Sequence, residues 1–210
     1  MHAQPHELQR YSDRERMYHW ATALLLLLAA CSGMAFFHPN LFFLSIFTGG
    51  GAWTRILHPF IGVATAFVFL FLYLRVRIDN QAEAHDKAWD GKLGDMIRGN
   101  KDALPPAGKY NPAQKQVFWA MSISLAVLLV TGFVFWRPWF AVYFPVDVVR
   151  VAVVLHSIAA VVMVLSVIVH VYAAIWIKGS VRAMTRGTVS RAWAKQNHAL
   201  WHHQMTEGKK

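Results

Sequence analysis

The sequence has 210 residues, of which 56% are hydrophobic, 14% aromatic and only 15% charged, with mean hydropathy +0.32 and a formal net charge of +10. Soluble domains run at roughly 45–50% apolar and about 25% charged, which disfavours a soluble enzyme, and the aromatic content excludes disorder. The long apolar blocks also argue against a basic nucleic-acid module. One cysteine, Cys31, excludes an internal disulfide, a thiolate-held metal site and a C-x-x-C-H haem attachment. An integral membrane protein remains.

Four apolar segments are long enough for a hydrocarbon core that takes about 20 helical residues to cross. The first covers residues 18–37. Its Leu28-Ala29-Ala30-Cys31 run resembles a lipoprotein signal, but the apolar stretch continues to Phe37 and the preceding tail carries Glu7, Asp13 and Glu15. We therefore expect a retained helix. The second segment covers residues 58–77 and the third 116–136. The fourth covers 151–177; it is rich in Val, yet a run of this length without a turn predicts a helix. Backbone polar groups in lipid have to be satisfied within their own segment, so all four read as helices. Between the second and third lies a polar loop, 78–115, in which Asp90–Gly99 predicts a short interfacial helix with Trp89, Leu93, Met96 and Ile97 on one face. The tail, 178–210, carries Met184, Trp193 and Trp201 among basic residues and is expected along the membrane surface. No internal repeat stands out, and the chain reads as one domain, 1–210. The fold class expected is an all-α integral membrane protein, a four-transmembrane-helix bundle.

The charge gives the orientation. Of the 21 Lys and Arg, eighteen lie in the N-terminal tail, from Arg75 to Lys115, or from Lys178 onward. Only Arg55, Arg137 and Arg150 lie in the other two loops. The positive-inside rule then places both termini and the central loop in the cytoplasm.

Histidine inside a membrane segment is costly and is a functional candidate by default. Four lie in or at the ends of the spans: His19, His58, His156 and His170. With the orientation fixed, His58 starts the second helix from outside and His156 lies near the outer end of the fourth. His19 and His170 lie near the cytoplasmic side. On the fourth helix the fourteen-residue spacing is roughly 21 Å and just under four turns, so both histidines share a face at two depths. Two imidazoles meeting at one depth from different helices, with Ser157, Ala159, Ala160, Gly62 and Ala64 nearby, suit an iron ligated on both faces of a porphyrin. Two b-type haems, one per pair, would form an electron path across the bilayer. The alternative is that each histidine is an interhelical hydrogen-bonding residue. His198, His202 and His203 look like a metal cluster, but the last two are adjacent and would point apart on a helix.

The stretches Arg16–Trp20 (RMYHW), Arg55–Phe60 (RILHPF), Gly108–Lys115 (GKYNPAQK), Thr131–Phe144 (TGFVFWRPWFAVYF), His170 with Lys178-Gly179-Ser180, and Val189–Lys195 (VSRAWAK) resemble the cytochrome b (gamma) subunit of respiratory membrane-bound formate dehydrogenase. The resemblance runs over essentially the whole chain. It implies an inner-membrane subunit that makes no formate chemistry itself. It implies partners: a catalytic subunit holding molybdenum or tungsten, and an iron–sulfur beta subunit that delivers electrons. It assigns His58 and His156 to the outer haem and His19 and His170 to the inner one, the pairing that depth gives independently. It also implies quinone, menaquinone or ubiquinone, reduced at the cytoplasmic side, with Asn111 and His170 in the pocket and Gln114 and Lys109 as weaker members. Asn111 followed by Pro112 is equally the N-cap of the third helix, and the two roles are compatible. A cytochrome b subunit of a hydrogenase or another molybdoenzyme is the alternative within this chemistry. A non-haem anchor or transporter is the alternative outside it, although the spans hold no carboxylates and no pair of broken helices.

Overall fold

The computed structural model describes residues 6–137 and 139–207. Four of its helices are long and apolar enough to cross a membrane: α1 (Asp13–Phe37), α2 (Gly51–Val76), α4 (Pro112–Phe135) and α5 (Val146–Trp176). Between α2 and α4 the loop holds the short α3 (Leu93–Ile97), inside the predicted Asp90–Gly99 stretch. After α5 come α6 (Ser180–Arg186), α7 (Arg191–Asn197) and α8 (Ala199–Glu207). Strands β1 (Glu7–Gln9) and β2 (Thr188–Ser190) pair antiparallel, with Leu8 opposite Val189.

The boundaries differ from expectation where a polar start was read as loop. Helix α2 begins at Gly51, so His58 lies two turns inside it rather than at its first residue. The early turn is stabilised locally: Thr54 Oγ1 donates to Gly50 O at 2.9 Å, and Thr48 and Thr54 hydroxyls meet at 2.5 Å. A helical hydroxyl satisfied on its own backbone does not interrupt an apolar helix. Likewise α5 begins at Val146, which puts His156 nearly three turns in. The connection from α1 to α2 is itself ordered, as a 3₁₀ stretch Pro39–Thr48 capped by His38 Nδ1, which accepts from Asn40 N at 3.2 Å. It closes through Gly49 and Gly50, both at positive φ (85° and 92°).

The chain divides into two compact units. The helical unit, Met17–Leu74 with Ala120–Ile168, turns its large apolar side chains outward: Leu24, Phe67, Ile123, Val130, Val154 and Leu165 are all exposed. What it buries is mostly small or hydroxylated, including Thr22, Ser32, Ala35, Thr65, Thr131, Ala152 and Ala159, with Leu125 and Met163 the large apolar exceptions. Small residues let helix backbones approach where lipid offers no hydrophobic drive for association.

The polar unit comprises Met1–Arg16, Arg75–Trp119 and Val169–Lys210, and has the opposite arrangement. Leu8, Ala183, Val189, Ala194 and Trp201 form a small apolar core. The tail is therefore not a bare surface strip; α6, β2, α7 and α8 fold onto the N-terminal strand and the central loop. Arg10 N and Tyr11 N both donate to Gly187 O, at 2.8 and 3.1 Å. Gly187 sits at φ 83°, and a Cβ there would stand 2.7 Å from Tyr11 O. That close approach requires glycine.

Candidate functional site

The two histidines expected toward the outer face, His58 and His156, both belong to the helical unit, and the fold brings them together. Their ring centroids lie 6.4 Å apart with the planes at 67°. Metal–imidazole bonds of about 2 Å, with about 1.1 Å from each nitrogen to its ring centre, require roughly 6 Å between two rings that share one ion. The spacing fits.

Each ring is held in the same way from the preceding long helix. His58 Nδ1 lies 2.7 Å from Ser32 Oγ on α1, and His156 Nδ1 lies 2.9 Å from Thr131 Oγ1 on α4. The residue after each hydroxyl is glycine. A Cβ on Gly33 would stand 3.2 Å from His58 Cε1, and one on Gly132 would stand 3.5 Å from His156 Cε1. An aromatic edge completes each set: Phe36 meets His58 at 5.9 Å and Phe135 meets His156 at 5.0 Å, both edge-on. The two hairpins thus repeat one local design, hydroxyl-glycine on one helix and histidine on the next, with spacings of 26 and 25 residues. Hydropathy reading misses this repeat because Ser and Thr vanish into apolar runs. The signal that finds it is the dipeptide Ser32-Gly33 matched by Thr131-Gly132.

Two histidines with their Nδ1 atoms engaged, and glycines making room beside the rings, are a donor set suited to haem iron. His19 lies in α1, with its ring edge-on to Trp20 at 5.3 Å. His170 lies in α5 with an exposed side chain. These two belong to different units, and their pairing rests on depth along the helices.

Of the residues expected around a quinone, Lys109, Asn111 and Gln114 lie at the start of α4 in the polar unit, while His170 lies on α5. Asn111 and Gln114 form a reciprocal capping box: Gln114 N donates to Asn111 Oδ1, and Asn111 N donates to Gln114 Oε1, both at 2.9 Å. The N-cap reading therefore holds. The cap uses the oxygen of Asn111 and leaves its Nδ2 donors uncommitted among the described hydrogen bonds. Lys109 Nζ donates to Asp79 Oδ2 at 2.7 Å, so its charge is already paired. Lys115, nearly buried, binds Asp86 at 2.9 Å and Glu83 at 3.3 Å. Burial pushes the Asp86 carboxyl up, but Lys115 and the Glu83 backbone outweigh it and hold it below the usual carboxylate value.

Next to this cluster the unit is knotted by Arg10, which is 5% exposed. Its Nη2 donates to Lys109 O at 2.5 Å and to His198 Nε2 at 3.2 Å. Its guanidinium lies 5.0 Å from the Trp201 ring centre, 5.2 Å from Trp193 and 5.8 Å from Tyr110. His198 Nδ1 in turn donates to Gly108 O at 2.8 Å. Burial first, then the Arg10 cation, lowers the His198 pKa from 6.5 to about 3. Burial also raises the Tyr110 phenol well above its ordinary value. His198 is thus a neutral structural histidine, and His203 pairs instead with Glu207 at 2.6 Å. Among the described residues no three metal-ligating side chains converge.

The chain matches the family described as prokaryotic cytochrome b561 over residues 10–187. It is 38% identical over 191 residues to the nitrate-inducible formate dehydrogenase cytochrome b556(Fdn) subunit of Escherichia coli K12, covering 91% of this chain and 88% of that protein. It is 40% identical over 196 residues to the formate dehydrogenase cytochrome b556(fdo) subunit of the same organism, covering 93% and 92%. A third relative is the formate dehydrogenase cytochrome b556 subunit of Haemophilus influenzae, 35% identical over 193 residues, covering 92% and 81%.

Proposed function

The chain belongs to the prokaryotic cytochrome b561 family, and from that premise we propose that it is the dihaem cytochrome b subunit of a formate dehydrogenase. In this reading it accepts electrons from an iron–sulfur subunit outside the cytoplasm and delivers them to a quinone at the cytoplasmic side. The catalytic subunit, holding molybdenum or tungsten, oxidises the formate. The single observation that carries the reading is the His58–His156 ring pair at 6.4 Å, in a family of b-type cytochromes.

Bound haem supplies a reversible one-electron couple, tuned by axial-ligand identity, hydrogen bonding and burial. The protein's own residues do the rest. His58 and His156 hold the outer iron, and His19 and His170 the inner one. The exposed Leu, Val and Phe side chains of the helical unit keep that path in lipid and out of water. At the cytoplasmic side the Nδ2 amide of Asn111 donates to a quinone carbonyl while its oxygen stays in the helix cap. His170 lines the same pocket, with Gln114 and Lys109 as supporting members. Eighteen of the 21 basic residues support an inner-membrane protein with both termini inside. Each electron moved inward then carries one charge against about 2.3 kcal/mol per 100 mV of membrane potential, so formate oxidation contributes to proton-motive force.

A pyridine haemochrome assay on the purified complex, with its partners identified, tests this. Two b haems per chain are expected, with His58→Ala and His156→Ala each leaving one. A colourless chain, or both haems retained in those variants, would overturn the reading.

A further inference from the structure

The two outer histidines are fixed by hydroxyls whose own protons are already committed. Ser32 Oγ donates to Ala29 O at 2.9 Å, one turn back along α1. Thr131 Oγ1 donates to Val127 O at 2.6 Å, one turn back along α4. A hydroxyl has one proton and two lone pairs. With the proton on a backbone carbonyl, what Ser32 and Thr131 offer to His58 Nδ1 and His156 Nδ1 is a lone pair. The ring nitrogen must then be the donor. Both imidazoles therefore carry their proton on Nδ1 and keep the Nε2 lone pair.

We propose that Ser32 and Thr131 are positioning residues that hold His58 and His156 in the Nδ1–H tautomer and thereby lower the reduction potential of the outer haem relative to the same centre without them. This rests on the haem reading above. The chain from imidazole to hydroxyl to carbonyl is cooperative: a hydroxyl that donates is a better acceptor. A ring that donates from Nδ1 gains electron density at Nε2 and becomes a stronger ligand for the oxidised iron. Ser32 is fully buried, and Thr131 nearly so, so water does not replace either hydroxyl when it is removed. Gly33 completes the device at His58, because a Cβ there would press on the ring edge that the hydroxyl has to reach, whereas one at Gly132 would only come into ordinary contact with His156. The inner pair provides an internal reference.

The test is a redox titration of both haems in membranes carrying the intact complex, with low-spin EPR of the oxidised state. Thr131→Val, which keeps the shape and loses the hydroxyl, and Ser32→Ala are each expected to raise one midpoint potential and shift one EPR g-value. The other haem should stay unmoved. Thr131→Ser and Ser32→Thr should restore the original values. Unchanged midpoints and g-values in both hydroxyl-free variants would overturn the proposal. If Thr131→Val loses the outer haem, its retention in Thr131→Ser supports the hydroxyl role; loss in both makes the position one of packing and overturns it. A wild-type complex lacking b-type haem fails the haem reading itself, whereas two ordinary haems with unmoved potentials fail this inference alone.

Discussion

The helical and polar units of this chain solve folding for opposite solvents. In the helical unit Leu24, Phe67 and Leu165 face outward while Ser32, Thr65 and Thr131 are buried. In the polar unit Leu8, Val189 and Trp201 are buried together, and the same unit encloses Arg10 and the Lys115–Asp86 pair. The difference shows what each solvent leaves for specificity. Lipid is as apolar as Leu, so position inside the helical unit is set by small residues and hydroxyl hydrogen bonds. Water rewards apolar burial, so the polar unit can hold even a buried guanidinium once aromatic faces and acceptors surround it.

The comparison can be broken first at its most crowded point. Gly33→Val puts branched bulk beside His58 Cε1, already 3.2 Å from a would-be Cβ, and should remove the outer haem while leaving the polar unit intact. On the proposed dihaem reading, haem stoichiometry should fall from two to one with unchanged protease resistance of residues 178–207. Arg10→Ala should do the reverse. Removing a buried donor to Lys109 O and His198, with its aromatic contacts, costs about 3 kcal/mol. Amide exchange at Leu8 and Val189 should accelerate with both haem spectra kept.

Acid sharpens the contrast at a smaller scale. His198 is neutral when folded, with its pKa lowered from 6.5 to about 3. The unfolded unit therefore takes up the proton first, and stability falls as pH drops below about 6.5. The expected loss is about 2 kcal/mol between about pH 7.5 and about pH 5. His198→Asn should flatten that slope in exchange measurements. Asp86 is held below the usual carboxylate value, so its contribution is lost only in stronger acid. The smallest effect expected is that of Asn111→Ala. It removes the N-cap of α4 at about 1 kcal/mol and, in the proposed role, raises the quinone KM more than it lowers kcat. Equal quinone kinetics with the cap lost would leave Asn111 a helix cap alone.

Much of the helical unit is legible in one dimension. Four apolar runs and the uneven distribution of Lys and Arg depend only on composition along the chain, and so do the histidines within them. The starts of α2 and α5 are less legible, because Thr54 looks like a loop residue until Gly50 O accepts its hydroxyl, and Asp147 until its place in the first turn of α5 beside Arg150 is seen. The polar unit is barely legible. β1 and β2 are three residues each and pair across about 180 positions, too short for a period and too distant for a turn signal. The stretches Lys178-Gly179-Ser180 and Val189–Lys195 are readable as motifs, but not that Trp193 Nε1 donates to Lys178 O at 2.8 Å.

The sequence by itself determined that this chain has four stretches apolar enough to cross a membrane, that its basic residues collect in the tails and the central loop, and which four histidines lie in those stretches. Those properties follow from transfer free energies and net charge, which are sums over residues. Only the tertiary structure decided that His58 and His156 stand 6.4 Å apart and that a serine and a threonine hydroxyl reach their Nδ1 atoms at 2.7 and 2.9 Å. It alone showed that Arg10 ties both tails and the central loop together. Hydrogen bonds depend on direction and on a distance of about 3 Å, and neither is defined until helices from distant parts of the chain have packed.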